Sequence, residues 1–338
     1  MPDMTQRLPV LTSLALAGLV LAVLAGIFFG TAEATWSDRW AALVGGADAP
    51  RSLSLIIWEW RLPRVLAVAA VGASLALAGV MMQTVLHNPL ADPYLMGLSS
   101  GASAAAVGTI LWAPAWVAST FGVPVIAFCG AVAAFAMTLG LSFRRGTMMS
   151  PLVVILAGVA VSLMFQSLTA FFLYVGDPHA TRTALGWLMG TAAGTAWEDL
   201  WLPLIALAGV TTYARLHAQN LDALLLGDER AMALGIPVRK LRFVVFGAVA
   251  LLAGLSVASV GIVGFVGLIV PHMARLLVGG RHRVLIPLSL VLGALVLVVV
   301  DLLCRILLAP EEMPLGVLLA IFAAPPFILI LRRVRHAF

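Results

Sequence analysis

The chain is built from apolar runs too long and too continuous for most folds. Stretches such as "LAVAAVGASLALAGVMMQTV" and "LIPLSLVLGALVLVVVDLL" carry at most one charge over about five helical turns. A helix needs about 20 such residues to cross about 30 Å of hydrocarbon, and runs of this kind recur from residue 8 to residue 331. Backbone polar groups in lipid must be paired within the spanning element, which leaves helices or a closed barrel. Barrel strands would read as segments of about ten residues with alternating polarity, whereas these runs are continuously apolar and rich in Ala, Leu and Gly. The sequence therefore predicts an all-α, polytopic membrane protein with about ten transmembrane helices. They fall near 8–30, 62–84, 94–112, 121–142, 152–174, 198–216, 242–260, 264–279, 284–306 and 314–332. No polar stretch between them is large enough for a soluble domain, so residues 1–338 read as one transmembrane domain.

Only 10% of the residues are charged, and their distribution sets the orientation. With the amino terminus inside, Arg7, Arg144, Arg145, Arg215, Arg230, Arg239, Lys240, Arg242, Arg275, Arg281, Arg283, Arg332, Arg333 and Arg335 all fall on the cytoplasmic side. These are 14 of the 20 basic residues, and the excess favours both termini in the cytoplasm of a multi-pass membrane protein. The net charge of +5 thus reflects topology and does not point to nucleic acid. The first run ends in Ala32-Glu33-Ala34, which imitates a secretory cleavage site, but its apolar core is longer than that of a typical signal peptide. Cys129 and Cys304 lie in separate apolar spans on no metal-ligand spacing, and buried packing is expected for both.

Several polar residues sit where lipid would not welcome them. Arg61 and Arg64 flank a proline at a helix start, beside Trp58 and Trp60. Snorkelling within an aromatic belt is one reading. The other is a docking site, because cations at a helix amino end oppose the macrodipole and an external acidic partner could compensate them. Asp301 and Arg305 stand at i,i+4 and are placed to form an intrahelical ion pair, with an edge of Arg305 left for a partner. Gln83 within a span implies an interhelical hydrogen bond or a wet cavity. Asn88, Pro89 and Leu90 belong to a compact turn.

Residues 215–242 are too amphipathic for a linker. They read as two short helices over 219–236, split at Gly227 and stopped by Gly235 and Pro237, forming either a docking knob or an interfacial helix on anionic lipid. A short helical stretch, Thr181 to Met189, resembles a cavity rim that includes Trp187 and Met189. In "GIVGFVGLIVPHMARL", Gly261, Gly264 and Gly267 would allow close backbone approach. There Pro271 removes a donor and breaks the ladder, and His272 is expected to hydrogen-bond within the protein near the pathway. No HExxH, Ser-His-Asp set, Gly-rich nucleotide loop or mid-span acid chain occurs, so the sequence shows neither enzyme chemistry nor an energy source of its own.

Four stretches in order carry a family likeness: "RLPRVLAVAAVGASLALAGVMMQTVLHNPLADPYLMGLSSGA", "LDALLLGDERAMALGIP", "GFVGLIVPHMARLLVGGRHRVLIP" and "VVVDLLCRILLAPEEMPLGV". From about residue 55 to 333 the chain resembles the permease subunits of type II ABC importers for cobalamin, iron-siderophore complexes and haem. The resemblance implies a homodimer with the pathway on its axis, two cytoplasmic ATPase subunits that hold ATP and Mg²⁺, and an external or periplasmic substrate-binding protein. It implies no cofactor or metal on this chain. Arg61, Arg64 and Arg305 match positions that receive acids of the binding protein, and Asn88, Pro89 and Leu90 match a cytoplasmic gate. Gly227, Asp228, Ala231, Leu234 and Gly235 match the helices that couple to the ATPase, while Gln83, Trp187, Met189 and His272 are candidates for the pathway lining. Iron-chelate uptake is the function expected, with cobalamin as the alternative towards which "GWLMG" leans. The chain departs from the family pattern at Ala323-Ala324-Pro325, and Ser150-Pro151-Leu152 match a second gate only weakly. A rival of another class is a secondary transporter independent of ATP, which would place pairable charges at mid-bilayer.

Overall fold

The structure, a computed structural model, describes residues 4–30, 34–46, 50–114, 116–117, 122–142 and 150–334. No strand occurs among them. The chain opens with α1 (Met4–Phe28) and the short α2 (Trp36–Val44) and α3 (Arg51–Leu55). A π-helical turn, Ile56–Arg61, then runs without a break into α4 (Leu62–Val85). There follow a 3₁₀ turn (Pro93–Met96), α5 (Leu98–Trp112), α6 (Gly122–Ser142), α7 (Pro151–Val175), α8 (Pro178–Leu188) and α9 (Trp201–Leu216). The last part comprises α10 (Ala218–Leu224), α11 (Asp228–Ala233), α12 (Val238–Val260), α13 (Val266–Val278), α14 (His282–Ile306) and α15 (Leu315–Val334).

Each of the ten apolar stretches holds a helix, and among the described residues six helices are long and apolar enough to cross a membrane unaided: α1, the run 51–85, α6, α7, α12 and α14. The other four stretches hold shorter apolar helices: α5, α13 and α9 have 15, 13 and 16 residues, and the continuous part of α15 whose side chains are described ends at Pro325. The shortfall at α5 and α13 has a physical cause, since both start after irregular chain that is packed inside the bundle. Before α5, the Thr138 hydroxyl donates to the Met96 carbonyl at 3.0 Å, and a side chain at Gly158 would collide with the Leu95 carbonyl. Before α13, Gly261 and Phe265 both take positive φ, 72° and 66°. Non-helical backbone inside a bilayer is tolerated only under such cover.

At the centre lies α4, buried at nearly every position from Pro63 to Val85. Its small residues let neighbours approach to backbone contact: a Cβ on Gly72 would strike Gly293 of α14, and one on Gly79 would strike the Gly267 carbonyl of α13. By contrast α1 and α7 present exposed rows, Leu14, Leu21, Leu156, Leu163 and Phe171 among them, away from the rest of the chain. Cys304 is buried as expected, whereas Cys129 is exposed on α6. Residues Arg144, Arg145 and Arg335, counted for orientation, and Ala32-Glu33 of the cleavage-like site lie outside the described residues.

The break at Pro271 is repaired from another helix. Proline leaves the carbonyl four residues back, that of Gly267, without its ladder donor. Gln83 of α4 supplies the donor: its Nε2 lies 3.2 Å from the Gly267 oxygen and 3.3 Å from that of Leu268, while Arg275 Nη1 donates to Gln83 Oε1 at 3.1 Å. At 2% exposure Gln83 is an interhelical clamp and not a lining residue, which corrects that assignment. Gly261 and Gly267 sit in close backbone or proline contact, but Gly264 faces open space.

Candidate functional site

Polar side chains gather at two opposite ends of the bundle. One end holds the end of α1, the start of α4 and the end of α14. The last carbonyls of α1 have no intrahelical donors. Arg61 Nη1 donates to Ile27 and Phe28 oxygens at 3.0 and 3.3 Å, and Arg305 Nη1 donates to Gly26 oxygen at 2.9 Å, so cations cap the negative end of that helix. Gly30 leaves the room that the Arg61 guanidinium fills. Arg64 forks onto Asp301 Oδ1 through Nε at 3.0 Å and Nη2 at 2.8 Å, and onto Glu312 at 2.9 Å. Arg305 Nε lies 3.2 Å from Asp301 Oδ2, which realises the i,i+4 pair.

The structure thus brings the three predicted arginines together but buries them. Arg305 is 6% exposed and keeps no open edge, and the compensation assigned to an outside acid comes from the carbonyls of α1 and from Asp301 and Glu312. The three arginines face two carboxylates, and Arg39, which also donates to the Phe28 carbonyl, adds a fourth guanidinium, so the node keeps a positive excess. Glu312, whose side chain is 41% exposed, is the member the sequence reading missed.

The other end holds the turn after α4, the pair α10 and α11, and the start of α14. Asn88 organises the turn by accepting the Leu90 amide on Oδ1 at 2.9 Å and the Ala91 amide on its carbonyl at 3.1 Å. Gly227, at φ 98°, separates α10 from α11, and Gly235, at φ 81°, ends the pair. Asp228 is held by Arg242 of α12 in a two-pronged pair at 2.7 Å on each prong, and Ala231 is fully buried. These two residues are therefore internal fasteners and not contact residues, which corrects part of the coupling set. The large apolar side chains exposed there are Leu225, Leu226, Met232 and Leu234, alongside the exposed charged residues Glu229 and Arg230.

Asp222 of α10 accepts from the His282 backbone amide at 2.9 Å and lies 2.6 Å from that ring's Nδ1. Burial pushes the Asp222 carboxyl up, yet the His282 hydrogen bonds and the charges of His282 and Arg281 outweigh it and hold the carboxyl below the usual carboxylate range. Nothing in the local sequence pairs residues 60 positions apart, so this contact was not legible.

Trp187 and Met189 belong to a seam at the arginine end. Thr191 donates to the Val260 carbonyl at 2.9 Å, Leu315 to that of Gly190 at 2.9 Å and Gly316 to that of Met189 at 3.1 Å, joining the ends of α8 and α12 to the start of α15. Met189 is exposed and Trp187 half-buried, both compatible with a rim. His272 is half-buried on α13, and among the described residues its ring makes no hydrogen bond, contrary to expectation. No group of three or more His, Cys, Asp or Glu that could hold a metal occurs among the described residues.

These features define a class: a multi-pass helical membrane protein with a pinned pair of short helices at one end and a positive node at the other. The chain belongs to the FecCD transport family, whose model matches residues 18–333, and it is an importer permease of the ABC class. It is 41% identical over 280 residues to the vitamin B12 import system permease protein BtuC of Vibrio cholerae, covering 82% of this chain and 83% of that one. With the Fe(3+) dicitrate transport system permease protein FecD of Escherichia coli it shares 38% over 296 residues, 88% of this chain and 91% of that one. A solved structure described as an inward-facing conformation of a metal-chelate type ABC transporter superposes with a TM-score of 0.84 at 28% identity, covering 96% of this chain and 99% of the other.

Proposed function

We propose that the chain is the permease subunit of an ATP-driven importer of an iron chelate, a ferric siderophore or haem, working as a homodimer in the bacterial inner membrane with ten passes and both termini in the cytoplasm. The observation that carries this reading is the knob: Leu225, Leu226, Met232 and Leu234 expose an apolar surface around two short helices, of whose acids Asp222 and Asp228 are paired within the chain while Glu229 stays exposed. Such a surface suits a groove on a separate ATPase subunit, which binds ATP and Mg²⁺ in place of this chain. At the far end the positive excess at Arg61, Arg64 and Arg305 steers an acidic substrate-binding protein. Trp187, Met189 and His272 line the route between the two copies, and the Asn88–Leu90 turn serves as the cytoplasmic gate. Cobalamin is the second reading, supported by the relative from Vibrio cholerae, whose name specifies vitamin B12.

The test is uptake into proteoliposomes that hold the chain with its ATPase and binding protein, using ferric siderophore, haem and vitamin B12 in parallel, with and without ATP. ATP-dependent accumulation of an iron chelate alone is expected. Accumulation of vitamin B12 alone replaces the first reading by the second, and uptake by the permease without ATP or ATPase returns the secondary transporter.

A further inference from the structure

We infer that His282 and His87 are positioning residues that fasten α10 to the last turn of α4, so that the knob and the gate turn move as one piece. This rests on the ATP-driven importer reading and names the joint through which that reading would work. His282 has no exposed surface and sits where three helices meet. From the first residue of α14 its Nδ1 reaches Asp222 Oδ1 on α10 at 2.6 Å, and its Nε2 lies 2.8 Å from Thr84 Oγ1 on α4. The Thr84 hydroxyl lies 2.8 Å from the Val80 carbonyl, which ties the bridge into the α4 backbone.

One turn further along, His87 Nε2–H donates to the Leu224 carbonyl at the end of α10, 2.6 Å away. His87 holds a left-handed backbone, φ 48°, which few residues other than glycine adopt and which persists only where surrounding contacts enforce it. The two histidines thus bracket the final turn of α4, immediately before Asn88, and each grips a different residue of α10. The partner helix α11 is anchored elsewhere, on Arg242 of α12, with Gly227 between the two anchors. A push on the knob is therefore delivered to α4 and the gate turn through α10, and to α12 through α11. Packing alone would leave α10 able to slide over α4. Directional polar bonds that would be unpaired after sliding resist it, most of all the buried one from His282 to Thr84.

The test uses the assembled transporter in liposomes, with ferric siderophore, haem and vitamin B12 as probes, and reads substrate imported per ATP hydrolysed. In His282→Ala that ratio is expected to fall about tenfold while ATP hydrolysis stays within about twofold, the scale of a lost coupling free energy. A purely structural role would lower both activities in proportion and leave the ratio unchanged, which would overturn the inference. Because His282 is buried and its removal threatens folding, His87→Ala provides the second variant. It deletes one bond at an exposed position and is expected to lower the ratio about threefold.

An independent readout places spin labels at Leu226 and Pro89 in a Cys129→Ser background. Their separation should be narrow and unchanged by nucleotide in the parent, and broadened in both histidine variants. An unbroadened distance overturns the joint. If the parent assembly imports none of the three probes with ATP, the importer reading fails, and the label distances still decide whether the joint exists.

Discussion

The arginine end and the knob end are built alike beneath and differently on top. At both, polar pairs staple helices that are distant in sequence: Arg64 to Asp301 across 237 positions at one end, Asp222 to His282 across 60 at the other. Above the arginine node lies a half-exposed carboxylate, Glu312, whereas above the histidine joint lies an apolar surface led by Leu226 and Leu234. A charge visible in the sequence of such a protein is thus first a fastener. What is offered to a partner is the field or the apolar surface that the fastener holds in place.

Ranked by effect on stability, four changes sharpen or break this contrast. Arg64→Met leaves Asp301, 2% exposed in its side chain, buried without its main partner, and should cost about 3–5 kcal/mol of folding stability. Unfolding of the detergent-solubilised chain measures it, and an unchanged midpoint would show that the node does not fasten the bundle. Gln83→Leu strips the carbonyls at the Pro271 break of their donor and should cost about 1–3 kcal/mol. The cost should shrink in a Pro271→Ala background, where the ladder amide returns, and a double-mutant cycle reads the difference.

Asp222 gives a smaller, pH-dependent effect. Its carboxyl titrates lower in the folded chain than a free side chain near 3.9, so its contribution is present above about pH 4 and fades as pH falls below that value. The acid-side loss of stability should therefore be shallower in Asp222→Asn, as a pH series of unfolding midpoints would show. Leu234→Asp lies at the bottom of the ranking: on an exposed site it should change stability by no more than about 0.5 kcal/mol. ATP-dependent uptake should nevertheless be lost, and if it survived, the knob would not be the contact surface.

Much of the helical layout was legible because hydrophobic run length is a local property. The short pair split at Gly227 was legible for the same reason, since caps and turns depend on a few adjacent residues. The candidate sites were legible as positions but not as roles. Ala231 looked like a contact and is core, Asp228 looked like a handle and is held by Arg242, and Gln83 looked like a lining residue and mends a proline break. Met232 and Leu226 gave no signal at all, because an exposed leucine and a lipid-facing one read the same.

By itself the sequence determined that this chain is helical, membrane-embedded and a permease of a known family, since apolar run length and ordered motifs survive without knowledge of contacts. Only the tertiary structure decided which charges are partners. Ion pairs and hydrogen bonds depend on separations of about 3 Å between residues far apart in the chain. Such separations are fixed by how close α4 comes to α13 and α14 at Gly72, Gly79 and Gly293.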